Sequence, residues 1–418
     1  MVALCLAVLP VACTREAQSD GGTTPASSEP PSAEATEAVD LGDAGLPSEI
    51  ANDDFQSLRI TSGGTYEGAF GSADAGRPAV VIATTEPVTI TRSVLAGRGD
   101  LVVSERAGVD LTVSDSRAYG LNPDEDGVAV GRFVKVERPR RLVVEHNEIV
   151  STAGISVLEW AGNGSPEQTI SIIGNRASNI DGRTSNGSGE PGADGYYGEG
   201  QVTSKQFVQL DKVQDVPGIE IAWNEIRNRP GESRVEDNIS VYLSGGTPDD
   251  PIDIHDNLVD GAYPIDPAAD DFSGGGIMLG DGIDGPPPSN ATASDNVVLN
   301  TANYGIAVSA GNNMTFSGNR VLSTGRLPDG TPIASQNVGI YVWNIHGTPE
   351  FHDNDASGNV VGWENPTDGG RNDFYFPDLD LDGQNSSFDG TVTNDTIKTE
   401  RRRWRGRATA AGVVTGVR

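Results

Sequence analysis

The chain has 418 residues, 60 of them acidic and 29 basic, which gives a formal charge of −31 at pH 7. Such a body repels phosphate backbones and anionic lipid, and this sets nucleic acid aside as a partner. Only 6% of the residues are aromatic and 21% charged, while 53 are glycine; that balance fits a turn-rich all-β chain better than a helical one, whose surface needs more Lys, Glu and Ala.

Residues 1–13, MVALCLAVLPVAC, form an apolar run too short to span a bilayer as a helix. The end of that run, Leu-Pro-Val-Ala-Cys, resembles the lipobox of bacterial lipoproteins, which implies a lipid anchor on Cys13. An ordinary secretory signal is the other reading, and both place the mature protein outside the cytoplasm, extracellular or at the cell surface. Cys5 and Cys13 are the only cysteines, so the processed chain has no internal disulfide. Residues 14–50, rich in Thr, Ser, Pro, Ala and Glu, bury too little apolar surface to offset chain entropy and are expected to form a disordered linker.

Over residues 51–400 one unit recurs. SLRITSGGTYEGAF reads as a half-turn that caps the open end of a solenoid. AVVIATTEPVTITRSVLAG, LVVSERAGVDLTVSDSRAYG and VAVGRFVKVERPRRLVVEHN follow, and the barest copy is YGIAVSAGNNMTFSGN at 304–319. Its pattern is Gly-Ile-x-Val, a short turn, alternating residues, then Asn. Each unit holds two strand-length runs with period-two alternation, bounded by Gly, Asn, Asp and Pro. Asn147, Asn175, Asn224, Asn257, Asn296, Asn319 and Asn354 close successive units 23 to 49 residues apart, and Ser93 and Ser116 hold the same place earlier. The longest inserts follow Asn175, Asn257 and Asn319, and such polar loops usually build a binding face. After residue 363 the pattern weakens into a last turn and a cap. Residues 401–418 contain six arginines and no acidic residue, and read as an atypical basic tail.

Strands alternating with turns, with no helical segments between them, exclude doubly wound and α/β-barrel folds. The bare unit is also too short for a propeller blade of about 40 to 45 residues. A single-stranded parallel β-helix remains. The Gly-Ile-x-Val and x-Ile-x-x-x-Asn units over residues 80–363 resemble the repeats of the pectate-lyase-like superfamily, whose coils are right-handed. An Asn after each second strand is expected to take the left-handed conformation of a sharp bend and to stack its amide on the next one, ~4.8 Å away. That role is structural and keeps the asparagines out of any site.

Aligning the units places Arg132, Glu159, Lys212, Leu243, Asp281, Ala310 and Asn344 in one outward column. Gly131, Leu158, Asp211, Tyr242, Gly280, Ser309 and Trp343 fill the column before it. Mixed charge flanked by Trp160, Tyr242 and Trp343 suits a polysaccharide, whose apolar sugar faces stack on rings while hydroxyls and carboxylates take hydrogen bonds. His255, one turn beyond Glu220, Glu225, Glu232 and Glu236, joins the substrate-facing set.

The family resemblance implies that Lys212 is the base of a polysaccharide lyase, with Arg132 or Arg234 pairing the substrate carboxylate. It implies calcium as the cofactor, with oxygen ligands from Asp211, Glu159 and Asp281. The structural alternative is a surface ion pair between Lys212 and Glu159. The chain lacks the Gly-His-Gly and Arg-Ile-Lys motifs of polygalacturonases and the Asp-Pro-His-Glu of alginate epimerases, and Arg229-Pro230 with Arg234 only approximates the Arg-x-Pro-x-x-Arg of pectate lyases. The expectation is an exported monomer that acts on an extracellular acidic polysaccharide by β-elimination. The alternatives are a non-catalytic glycan-binding or adhesive solenoid, and a glycoside hydrolase using two carboxylates. The bare turn at 304–319 serves as a template, and its departures direct attention to residues 130–282.

Overall fold

The computed structural model describes residues 56–418 apart from 191, 199, 270 and 271, all within the unit Ala35–Arg418. The apolar segment with Cys13 and the linker at 14–50 lie outside the described residues. Sheet A has eleven strands, sheet B ten and sheet C twelve, and up to the last coil each strand pairs with the third strand after it. Every coil therefore gives one strand to each sheet, and the ten strands of sheet B mark ten complete coils of a parallel β-helix. Among the described strands pairing is parallel except where Gly370–Arg371 folds back on residues 364–365, and a few isolated antiparallel bridges, such as Ala129 with Thr184, lie in the loops.

Period-two alternation produces the core. Ile155 and Val157 stack on Val208 and Leu210, which stack on Ile239 and Val241, and all six are 0% exposed. With no disulfide among the described residues, this continuous apolar column is the main stabilising term. The expected N-terminal half-turn is a full coil: Leu58–Ile60, Gly64–Tyr66 and Ala69–Ser72 each join a different sheet. Gly63 makes the corner possible, since a Cβ there would lie 2.8 Å from that of Glu86 and 2.9 Å from the Pro87 carbonyl oxygen.

Between sheets B and C runs a ladder of buried amides. The Oδ1 of Asn175 accepts from both the main-chain N–H and the Nδ2 of Asn147, each at 3.0 Å. The pattern repeats through Asn224, Asn257, Asn296 and Asn319. Ser116 and Ser93 extend it toward the N-terminus, as their sequence positions predict. Two details differ from expectation. The rung after Asn319 is Asn359, followed by Asn385, whereas Asn354 accepts from the Met314 N–H on another corner. The left-handed residue is the one before each Asn, with φ of 54° at His146, 55° at Trp223 and 54° at Asp256. Because the Asn N–H and amide both point along the solenoid axis, the bend falls one residue earlier.

The basic tail is a structural part of the fold. Asn394–Ala410 is a helix capped by Thr393, and Ile397, Trp404 and Ala408 pack against Leu258, Val297, Leu299 and Leu322 on the outside of sheet C. Acidic groups of the solenoid hold its arginines: Asp260 takes Arg401, Glu225 takes Arg405 and Asp256 takes Arg407, while Glu400 of the helix takes Arg320. The abrupt change of composition at 401 thus marks a helix complementary to the acidic body, not an appendage.

Loops leave the solenoid on both edges of sheet A. Those at 179–206, 228–236 and 263–274 lead from sheet C into sheet A, and those at 282–288 and 343–354 lead from sheet A to sheet B. Sheet A therefore lies between two rows of insertions.

Candidate active site on the outer face of sheet A

The observed register shifts the predicted columns. Glu137, Leu158, Asp211, Tyr242 and Asp281 follow one another across sheet A, and the next column is Arg138, Glu159, Lys212 and Leu243, all left-handed. Arg132 therefore does not align with Lys212; it precedes the strand Val134–Glu137 and lies at the other edge of the sheet. A bulge in the strand Gly275–Asp281 moves Asp281 beside Tyr242 rather than Leu243. Equal spacing from the Gly-Ile motif cannot reveal a bulge.

The three expected catalytic cations do not converge. Arg132 is 6% exposed and donates to the Ala153 and Gln206 carbonyls and to the side chains of Gln206 and Gln209. Burial lowers its pKa to about 10, and its fork is spent on bracing three coils. Lys212 is exposed at the opposite edge. Glu159 pairs with Arg138 at 3.7 Å, which replaces the expected pair with Lys212. Arg234, buried before the strand Asp237–Tyr242, donates to Glu236 and Ser273, each at 2.6 Å. Trp160 packs against the core, and His255 lies on sheet B between Asp256 at 3.0 Å and Glu220 at 3.2 Å.

The residues that do converge come from four successive sheet A strands, Asp237–Tyr242, Gly275–Asp281, Tyr304–Val308 and Val338–Val342. Tyr304 donates its phenolic hydrogen to Asp237, although the strand Gly275–Asp281 lies between them in the sheet. Gly275 opens the way: a Cβ there would be 2.4 Å from Asp237 Oδ1 and 2.6 Å from the Tyr304 oxygen. The Tyr304 ring meets Tyr341 edge-on, with centroids 5.5 Å apart, and the Tyr341 hydroxyl lies 2.8 Å from Ser309 Oγ. Met278 and Ala307 complete the floor, bordered by Trp343 and Tyr375, whose centroids are also 5.5 Å apart. At the rim, His346 Nε2 is 3.3 Å from Asp281. Of the predicted residues, Asp281, Tyr242 and Trp343 belong to this face, with Arg234 just behind it.

The electrostatics of the face are unusual. Burial, reinforced by the negative charges of Glu236 and Asp281, pushes the Asp237 carboxyl up to about 8, against the opposing pull of the Tyr304 hydrogen bond and Arg234. Asp237 is thus a carboxylic acid that keeps its proton near neutral pH, the state a proton donor needs. Burial and the charge of Asp237 push Tyr304 well above the usual phenol range, so it stays a donor. Farther along the face, burial also raises Asp211, whose Oδ1 is buried without a hydrogen-bond partner.

The three expected calcium ligands, Asp211, Glu159 and Asp281, are not brought together. Among the described residues no three His, Cys, Asp or Glu side chains are placed to hold one metal ion. Asp211 and Asp281 are separated by the strand of Tyr242, and Glu159 and Asp281 each face a side-chain partner.

Fold and face together define a parallel β-helix with an acid–aromatic cluster on one sheet. Comparison with protein-family models, curated proteins and solved structures finds no match for the chain. Sequence reasoning passed over Asp237, Tyr304, Ser309, Tyr341 and His346. A usable signal was present in the position two residues before the repeating Ile, which reads Asp237, Gly275, Tyr304 in three consecutive coils. An acid, a gap and a phenol at one repeat position form a juxtaposition that no single coil displays.

Proposed function

We propose that the protein hydrolyses glycosidic bonds of an extracellular polysaccharide laid along the outer face of sheet A. Asp237 is the acid and Asp281 the base. The anomeric C–O bond breaks as Asp237 gives its proton to the leaving oxygen, while a water adds to the anomeric carbon and yields its proton to Asp281. Exchange with solvent returns a proton to Asp237 and removes one from Asp281, so one water is consumed per bond. Tyr304 orients Asp237, and Tyr242, Trp343 and Tyr375 offer ring surface to sugar faces. The observation that supports this most is the Asp237 carboxyl held under the Tyr304 hydroxyl across Gly275 on the same face as Asp281, where burial and neighbouring negative charge raise its pKa. Hydrolysis is favoured over elimination because Arg234, the cation whose charge acts on Asp237, already serves Glu236 and Ser273 and would have to leave them to neutralise a uronate.

Incubation with a panel of neutral and uronic polysaccharides tests this. New reducing ends without ultraviolet-absorbing unsaturated products are expected, and Asp237→Asn should lower kcat by about 10²-fold or more. Unsaturated products that disappear in Lys212→Ala would return the assignment to a lyase. A binding-only role is the second reading, favoured by the low exposure of Tyr304 and Tyr341, 4% and 9%. Saturable glycan binding without any product would establish it.

A further inference from the structure

We infer that a groove between the C-terminal helix and the corner joining sheets C and A binds an acidic sugar unit, away from the face that holds Asp237. A cavity of about 590 Å³ lies there, within the range of small-ligand sites. Arg227, Arg229, Arg326, Lys398 and Arg401 enter its wall from sheet C, two loops and the helix, against only two carboxylates, Glu232 and Asp260. In a chain of net charge −31 this local excess of cations is an exception that folding assembles, because the five residues span positions 227 to 401 in sequence.

The two carboxylates do not cancel it. Asp260 is 4% exposed and committed to Arg401 and Arg227, so its charge is neutralised inside the wall. Glu232 is held by the Asn179 amide at 2.8 Å as well as by Arg229. Arg229 and Lys398 remain 72% and 59% exposed at the mouth, and the carboxylate that meets Lys398 from outside the lining, Asp395 at 3.1 Å, is 90% exposed and screened by water. The low-dielectric walls concentrate the remaining positive field on an entering anion. A guanidinium fork matches the planar two-oxygen geometry of a carboxylate, and sulfate oxygens meet the same donors.

Size and lining argue for a sugar. The cavity far exceeds a bare anion, and a second cavity of about 580 Å³ shares Arg326 and Asn394 with it, so the groove continues along the solenoid. The exposed large apolar side chains among the described residues are Phe272, Ile283 and Val414, and none lines either cavity. Pro230, Pro328 and Ile397 place small apolar surfaces beside the cations, against which the apolar face of a sugar ring can lie while its carboxylate takes the guanidinium donors. The site stands independently of catalysis at Asp237 and gives the protein a second hold on an acidic polysaccharide.

Calorimetric titration of the full chain tests this with four probes: a short oligouronide, the same oligomer with its carboxylates reduced, a sulfated oligosaccharide and inorganic phosphate. The oligouronide or the sulfated oligosaccharide should bind, the reduced oligomer should not, and affinity should fall as salt rises. The double variant Arg229→Ala, Lys398→Ala should bind about tenfold more weakly or worse with an unchanged melting temperature, while Asp237→Asn should bind as the parent does. Equal binding of the reduced oligomer, undiminished binding by the double variant, or phosphate binding as tight as the oligouronide would each overturn the inference. Loss of turnover in Asp237→Asn with binding intact would separate the two proposals.

Discussion

Tyr304 and Asp237 are 67 residues apart in sequence and sit on strands that are not neighbours in sheet A, yet the phenol donates directly to the carboxyl over the bare backbone of Gly275. The contact joins coils 7 and 9 of the solenoid, and a strained backbone is not needed to make it. It ties a proton-holding acid to an aromatic floor, and the behaviour of Asp237 is its most accessible consequence.

Asp237 has a folded-state pKa of about 8, above an unfolded value of ~3.9. The unfolded chain releases this proton first, so the contribution of Asp237 to stability is fully present below ~4 and is lost as pH rises toward 8. Asp237→Asn is therefore expected to melt higher than the parent at pH 8 and at about the same temperature at pH 4. Activity depends on the same proton: in the parent it should fall as pH rises through about 8, where the acid loses it. Thermal melts and a kcat profile against pH check both.

Tyr304→Phe removes a hydrogen bond that pulls the Asp237 pKa down. The alkaline limb of the rate profile should move to higher pH, a change that a purely structural phenol would not cause. Gly275→Ala forces a methyl group against Asp237 and Tyr304, and such overpacking costs about 1–3 kcal/mol. Chemical denaturation should find that loss, together with a fall in kcat much larger than any change in KM.

Asn224→Ala should weaken the whole solenoid. It removes the Nδ2 donations to Asn257 and to the Ile172 carbonyl, and leaves the main-chain N–H and Nδ2 of Asn175 without their acceptor. Buried polar groups left unpaired cost about 1–3 kcal/mol each, so a loss of ~3 kcal/mol or more is expected in denaturant. Hydrogen exchange should quicken at Asn175 before it does at distant coils.

Trp404→Ala tests the helix as a brace. Trp404 is 1% exposed and donates from Nε1 to the Asp256 carbonyl at 2.7 Å. Its truncation should cost about 3–5 kcal/mol and uncover Leu258, Val297 and Leu299, which an apolar dye would report. If residues 394–418 were an appendage, their removal would leave the melting temperature unchanged; a drop is expected.

The repeat was legible because each coil repeats the same local problem. Inward Ile and Val pairs such as Ile239 and Val241, a corner that needs a left-handed residue, and an amide to stack are all encoded within one unit, so the parallel β-helix and the rungs from Ser93 to Asn319 follow from sequence alone. Register between coils was less legible, because inserts of unequal length and the bulge in Gly275–Asp281 shift positions that equal spacing cannot track. Arg132 was aligned with Lys212 for a different reason: the apolar run at 128–130 resembles a strand, whereas the strand that pairs with Ile155–Leu158 is Val134–Glu137, which puts Arg138 in that column. The site was the least legible part. The turn at 304–319, taken as a featureless template, supplies Tyr304 and Ser309, and the attention given to residues 130–282 stopped short of Tyr341 and His346.

What the sequence by itself determined is the period: which residues face in, where the corners fall and how polar groups at them are satisfied, since these depend on neighbours within one coil. What only the tertiary structure decided is which departures from the period meet. Asp237, Gly275, Tyr304 and Tyr341 become one acid–aromatic face, and a basic C-terminal helix meets Asp256, Asp260 and Glu225, because stacking sets residues tens of positions apart only one strand spacing from each other. Burial at that spacing turns an ordinary aspartate into an acid that keeps its proton.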